Sequence, residues 1–289
     1  MKRREGNSPE AGRGALYVVA TPIGNLGDIT VRAIETLRAA HVIAAEDTRR
    51  TRLLLSHLGL EHKQVVRLDA GASDADLERL CDRIDEGAIV ALVTDAGTPV
   101  VSDPGTDLVA HARAREQLVS PLPGPSAVTA ALSVSGFGGG GFRFLGFFPR
   151  GGRERATALS ELARAAEVAV FFEAPHRMAE TLSDLAKAMP ARRAVIAREI
   201  TKIHEELISG ALGQILEREN AREWLGEITV VIEPSSGETP VADAGDVEAR
   251  AKTLLAEGRR AREVADLLSI ETGLSRRAAY DVVLRIKGT

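Results

Sequence analysis

The chain has 289 residues, a formal net charge of −4, 44% hydrophobic residues and a single cysteine, Cys81. That length accommodates two compact domains and an appendage, whereas one cysteine excludes an internal disulfide framework and a cysteine-rich metal cluster. The acidic balance argues against a small, uniformly basic nucleic-acid-binding domain, and no apolar run reaches the roughly 20 residues that cross a bilayer.

The opening MKRREGNSPEAGRG (1–14) is polar and rich in turn formers, which predicts a disordered tail. Basic residues followed by ALYVVA have the outline of a signal peptide. The apolar stretch is too short, however, and stops at Thr21-Pro22, so 16–20 is read as a first strand and the chain as cytoplasmic. Helix 28–39, strand 42–45 and an amphipathic helix 47–58 ending at Gly59 come next. Strand 65–68, helix 74–86, strand 89–94 and helix 105–115 continue the alternation, which predicts a mainly parallel sheet in an α/β domain over 15–121. A second α/β domain, 122–235, is expected from helix 126–135, strand 142–147, helix 153–166, strand 168–172, helix 176–188 and strands 193–198 and 227–233. Residues 236–246 read as a linker, and 247–289 as a helical appendage with helices 247–257, 260–268 and 275–286 around a turn at Glu271-Thr272-Gly273. That rhythm suits a helix-turn-helix. The apolar Leu267, Leu268, Leu274, Val282, Val283 and Ile286 suit equally a small bundle that buries them.

Chemistry concentrates in two segments. The first is IVALVTDAGTPVVSDPG (89–105), where a buried strand breaks into a loop carrying Asp95, Gly97, Pro99, Asp103, Pro104 and Gly105. Glycines allow the backbone to turn and approach a ligand, prolines hold one shape, and ligands of open α/β sheets collect beyond the carboxyl ends of strands. The second is PLPGPSAVTAALSVS (121–135), where Pro125 and Ser126 open an apolar helix whose free amides can accept ligand oxygens. An ordinary tight connection and an ordinary capped core helix would produce the same patterns. Gly136-x-Gly138-x-x-Gly141 matches a dinucleotide fingerprint in form, but it follows a helix and precedes a strand, so it is read as a loop. Neither a P-loop motif nor zinc-ligand spacing occurs, and no metal is expected.

Seven motifs occur in order: YVVATPIGNLGDIT (17–30), AAEDTRRTRLLL (44–55), LVTDAGTPVVSDPG (92–105), PLPGPSA (121–127), LGFFPR (145–150), FFEAPHR (171–177) and AREITKIHEE (197–206). Over residues 15–235 they resemble the tetrapyrrole-methylase superfamily of S-adenosylmethionine-dependent methyltransferases, and within it the bacterial branch that 2′-O-methylates a cytidine of 16S rRNA. The resemblance implies two α/β domains of the class III methyltransferase type with S-adenosylmethionine (SAM) in the cleft between them. It implies a substrate in the decoding centre of the small ribosomal subunit, and a homodimer. On this reading Asp95, Gly97, Thr98, Ser102, Asp103, Ser126, Ala127 and Phe172 hold the cofactor. Arg49, Arg50, Arg150 and Arg177 hold RNA phosphates. Glu46, Asp47, Glu173, Glu199 and Lys202 are candidates for the base that takes the ribose proton; Lys202 could serve only with a strongly depressed pKa, and Arg177 could equally pair with Glu173.

Where the branch carries a segment of the type S-x-H-E-H-N-E, this chain reads VRLDAGASDADLERL (66–80), without His or Asn, with Asp69 or Asp74 as replacements. Three other activities share the likeness. Tetrapyrrole or corrinoid C-methylation is disfavoured by the TPIGNLGDIT loop (21–30), which lacks the Gly-rich pattern of those enzymes, and diphthamide-pathway protein methylation by the same loop and by EDTRRTR (46–52). The third is a SAM-binding, RNA-binding protein without turnover.

Overall fold

The first sheet is built from the runs with the most continuous apolar character. In the computed structural model, which describes residues 14–138, 140–235, 244–272, 274 and 276–287, β1 (Ala15–Val19), β2 (Val42–Ala45), β3 (Val65–Arg67), β4 (Ile89–Val93) and β5 (Leu118–Leu122) pair in the order β3-β2-β4-β1-β5. All four pairings are parallel. Strands β2 and β4 are buried at every position, as strands covered on both faces must be. Tyr17, Leu37, Ile43 and Leu55 fill one face; Leu16, Leu77, Leu92, Leu108 and the free Cys81 fill the other.

The helices α1 (Val31–Ala39), α2 (Thr48–His57), α3 (Asp74–Asp85) and α4 (Thr106–Ala114) make the crossovers. Local capping chemistry sets their starts. Thr30 accepts from the Ala33 amide, so α1 begins after it and Leu26–Asp28 forms a separate 3₁₀ turn. Ser73 and Asp76 form a capping box on α3. Strand β5 was not anticipated, because Pro121 argues against a strand. It survives at the sheet edge, where a missing N–H breaks no ladder.

The second sheet is mixed. The strands β6 (Phe142–Phe147), β7 (Val168–Glu173), β8 (Arg193–Arg198), β9 (Glu206–Ala211) and β10 (Ile228–Ile232) take the order β6-β7-β10-β8-β9. Only β6 and β7 run parallel; the other three pairings are antiparallel. Its helices are α5 (Ala127–Ser135), α6 (Gly152–Arg164), α7 (Pro175–Ala188) and α8 (Leu212–Glu219). Strand β9 and helix α8 also lie outside the sequence expectation, since β9 follows β8 through a short loop rather than a helix. Phe171, Met178, Leu182 and Ile196 pack one face, with α5 on the other through Val128 and Ala131.

Beyond residues 236–243, which with 1–13 lie outside the described residues, α9 (Ala244–Ala256), α10 (Ala261–Thr272) and α11 (Arg276–Lys287) share a core of Val247, Ala251, Val264, Leu268 and Val283. Glu271 and Thr272, expected in a turn, close α10 instead.

Candidate active site

The end of β4 dictates the site. Thr94–Gly105 leaves Val93 and returns as α4, and it does so under strain: Val100 and Ser102 have φ of 75° and 67°, left-handed values that cost a non-glycine residue about 1–3 kcal/mol. Two glycines take the remaining left-handed turns. Gly97 has φ 88°, and Gly105 has φ 118° with Leu92 so close that a Cβ would fall 2.7 Å from its Cδ2. The loop after β1 holds this geometry. Thr21 N donates to the Gly97 carbonyl (2.8 Å), Gly97 N donates to the Thr21 carbonyl (3.0 Å), and the Thr21 hydroxyl donates to the Thr94 carbonyl (3.1 Å). Thr98 Oγ1 then reaches the other lobe, donating to the Pro125 carbonyl at 3.3 Å.

Between the lobes is a cavity of about 390 Å³, within the range of small-molecule sites. Glu46, Asp95 and Asp103 face it from the first sheet, with the Arg50 guanidinium 3.5 Å from Asp95. The Asp47 N–H donates to Asp95 Oδ1 (3.1 Å), and the Thr94 hydroxyl donates to Glu46 Oε2 (2.8 Å). Burial, then the charge of Glu46, pushes the Asp103 carboxyl up to about 6 against the pull of the Thr94 hydroxyl. The same two causes raise Asp95, with Arg50 opposing them.

The second lobe contributes an aromatic and backbone wall. Phe172 packs edge-on against Phe144 (5.0 Å) and Phe147 (5.6 Å), and Phe147 is 57% exposed toward the opening. Ser126 is the N-cap of α5 but makes no side-chain cap bond, so the first amides of that helix remain available to an acceptor.

The structure therefore brings together Glu46, Arg50, Asp95, Gly97, Thr98, Ser102, Asp103, Ser126, Ala127, Phe172 and Glu173 around one cavity. Glu173 contributes without a free carboxylate. Its side chain is fully buried; Oε1 accepts from the Ala174 amide (2.7 Å) and pairs with Arg177, while Oε2 accepts from Thr181 (2.6 Å). Arg177 also donates to the Phe148 carbonyl (3.0 Å), which places it in a structural ion pair rather than on a phosphate-facing surface. Thr181 further receives Arg155 (3.1 Å), itself paired with Asp184 (2.8 Å).

The other expected residues lie outside the lining. Asp47 caps α2, accepting from Arg49 N (2.7 Å), and that bond first of all lowers its pKa. Burial alone would lower Lys202, yet its contacts with Glu199 (2.8 Å) and Glu227 (3.2 Å) outweigh it and raise the pKa. The condition for Lys202 as a base is reversed. Glu199 accepts from Lys202 and from the Glu227 amide (2.8 Å). Arg49 and Arg150 are exposed and do not line the cavity.

Asp69 caps a turn at Gly71, and Ser73 and Asp76 cap α3, so the divergent segment 66–80 builds a loop and a helix start away from the cavity. The lining also includes Ile23, Phe147 and Gly226–Thr229. Phe147 was legible in LGFFPR; 226–229 was not, because it is brought in by the antiparallel return of β10. No group of three or more potential metal ligands occurs among the described residues, and no described helix is long and apolar enough to cross a membrane.

Three comparisons bear on this geometry. The family described as Tetrapyrrole (Corrin/Porphyrin) Methylases matches residues 15–216. A Xylella fastidiosa protein named Ribosomal RNA small subunit methyltransferase I is 43% identical over 274 residues, covering 92% of this chain and 98% of that protein. A Thermotoga maritima protein of the same name is 43% identical over 219 residues, covering 76% of this chain and 98% of its own length. Among solved structures, uroporphyrin-III C-methyltransferase from Thermus thermophilus, complexed with S-adenosylhomocysteine, superposes with a TM-score of 0.54 at 18% identity, over 75% of this chain and 97% of that one. It shares the fold.

Proposed function

The chain belongs to the tetrapyrrole methylase family and, within it, to the ribosomal RNA small subunit methyltransferase I group, and from that premise we propose that it transfers a methyl group from SAM to the 2′-hydroxyl of a cytidine in the decoding centre of 16S rRNA. It acts in the cytoplasm, as a homodimer, on the assembled small subunit.

One observation carries the reading. The cavity sets three carboxylates against one guanidinium on one wall, and an aromatic ring with a free helix N-terminus on the other. That donor set fits SAM, whose net charge is positive and whose carboxylate and adenine require an amide-rich and an aromatic surface. Asp95, Gly97, Thr98 and Ser102 would hold the methionine and ribose portions, Ser126 and Ala127 the carboxylate, and Phe172 the adenine face. When bound, the group supplies an electrophilic methyl on a sulfonium centre. The protein's share is alignment: a strained, clamped loop fixes the acceptor groups before the ligand arrives, and proximity is the largest contribution open to it. Arg49, Arg50 and Arg150 are exposed and supply phosphate contacts.

The test is transfer of labelled methyl from SAM to small subunits lacking the modification, followed by nuclease mapping. A 2′-O-methylcytidine in the decoding region is the expected product. Absence of transfer, with S-adenosylhomocysteine still bound, would overturn the reading, and naked 16S rRNA fragments accepting methyl as well as subunits would overturn the choice of substrate.

A further inference from the structure

The chain has seven phenylalanines, and two neighbours among them differ sharply: Phe147 lines the cavity and is 57% exposed, whereas Phe148 is 1% exposed. Leaving a ring in water forgoes its burial, and this fold does so by a specific backbone device. Phe144 of β6 pairs with Val170 of β7, and Phe147 pairs with Phe172, so three steps on β6 match two on β7. One residue is therefore extra, a bulge, and within it Gly146 takes a left-handed turn at φ 68°. In an unbroken strand, residues 144 and 147 would point to opposite faces. The bulge instead puts both rings on Phe172, at 5.0 and 5.6 Å, and turns Phe148 into the core, 4.8 Å from Phe171.

The backbone that follows the ring is held from behind. Phe148 N donates to the Phe172 carbonyl (3.0 Å). Arg177 donates to the Phe148 carbonyl and Arg155 to the Pro149 carbonyl, each at 3.0 Å. Both guanidinium side chains are largely buried and anchored on carboxylates, Arg177 on Glu173 and Arg155 on Asp184. This buried charge has no part in methyl transfer, yet it fixes the two carbonyls next to the exposed ring. Across the opening, the exposed Val101 of the first lobe lines the same cavity. A Cβ on Gly146 would lie 3.6 Å from Ser102 Oγ, so the bulge and the strained loop meet there. Arg150, three residues beyond the ring, is exposed, and the exposed Arg50 also lines the cavity.

A ribose cannot enter a cleft between two lobes while its base stays stacked in RNA, so the base must leave the stack. An extruded base loses its neighbours, and an aromatic ring flanked by cations is the surface that replaces them. We propose that Phe147 is the platform on which the target base stacks, holding the 2′-hydroxyl toward the cavity while Arg150 takes a flanking phosphate. This rests on the function proposed above and adds a residue that meets RNA alone. Phe172, behind it, stays with the cofactor. Every base has a π-face, so Phe147 contributes affinity and position and leaves the choice of cytidine to other groups.

The test uses the full chain, small subunits lacking the modification and labelled SAM. Phe147→Ala is expected to raise KM for the subunit by about 5- to 150-fold. Its kcat, and its calorimetric affinity for S-adenosylhomocysteine, should each stay within about threefold of wild type. Phe147→Tyr should bring KM back to within about threefold, whereas Phe147→Leu, apolar but without a π-face, should not. An unchanged KM in Phe147→Ala would overturn the proposal, as would full rescue by Phe147→Leu. Parallel loss of S-adenosylhomocysteine binding in Phe147→Ala would also overturn it, by assigning the ring to the cofactor. Failure of the wild-type chain to methylate the subunit would instead overturn the function itself.

Discussion

Glu173 shows most sharply how the structure separates scaffold from chemistry. Replacing it by Gln leaves volume and one acceptor in place but removes the charge facing Arg177, whose side chain is 13% exposed. A buried guanidinium deprived of its partner costs about 3–5 kcal/mol, and the retained acceptor sets the expectation at about 3 kcal/mol. In a cooperative unit of about 200 residues each kcal/mol is worth roughly 2–4 °C, so the thermal midpoint should fall by roughly 6–12 °C. Differential scanning calorimetry reads that shift, and single-turnover methyl transfer at a temperature well below the midpoint reads the chemistry. The rate should stay within about threefold of wild type, because both carboxylate oxygens are already engaged by Ala174, Thr181 and Arg177. An unshifted midpoint together with a rate loss of about 100-fold would refute the reasoning and return Glu173 to the reacting groups.

Phe172→Ala should weaken S-adenosylhomocysteine binding about 5- to 100-fold by calorimetry, from lost stacking on the adenine. Gly105→Ala, at φ 118° and against Leu92, should lower stability by about 1–3 kcal/mol, read as a lower urea midpoint at an unchanged m-value. Arg49→Ala should weaken binding to small subunits and reduce the salt slope by about one, measured by filter binding across salt concentrations. Glu206 is held down to about 2, first by its bond to Arg222; a depressed carboxylate stabilises above its unfolded pKa of 4.5 and loses that contribution as pH falls from there through 2. Acid unfolding should therefore steepen in that window, and Arg222→Ala should flatten it. Asp103 has the opposite sign: raised from 3.8 to about 6, it destabilises as pH climbs through that interval, so Asp103→Asn should unfold at a higher temperature than wild type at pH 8 and show a smaller difference at pH 4.

Much of this architecture was legible in the chain. The β4 run and its Asp/Gly/Pro loop marked one wall of the cavity, and Pro125-Ser126 marked the helix that meets it. What escaped did so for identifiable reasons. Pro121 concealed β5 because an edge position, which no local signal reveals, makes proline tolerable. Strand β9 was hidden because a short loop returns the chain antiparallel where a helical crossover was expected. Glu173 and Arg177 sit in one motif, FFEAPHR, and could not be sorted into chemistry or scaffold until Thr181, eight residues on, was seen to occupy the second carboxylate oxygen. The acidic wall was obscured similarly: Asp103 and Glu46 lie 57 residues apart in the chain, and only folding brings both to one cavity.

The threonine ties across the cleft bear on how the lobes respond to salt. Thr98 bonds the Pro125 carbonyl, and the Thr201 hydroxyl receives the Asn25 amide at 3.1 Å. Both are neutral hydrogen bonds, each with a net worth of about 1 kcal/mol. Being uncharged at both partners, these two ties are not weakened by salt screening. Contact between the lobes at these two points is thereby left to neutral groups, while the charge is kept on the cavity wall in Glu46, Asp95 and Asp103.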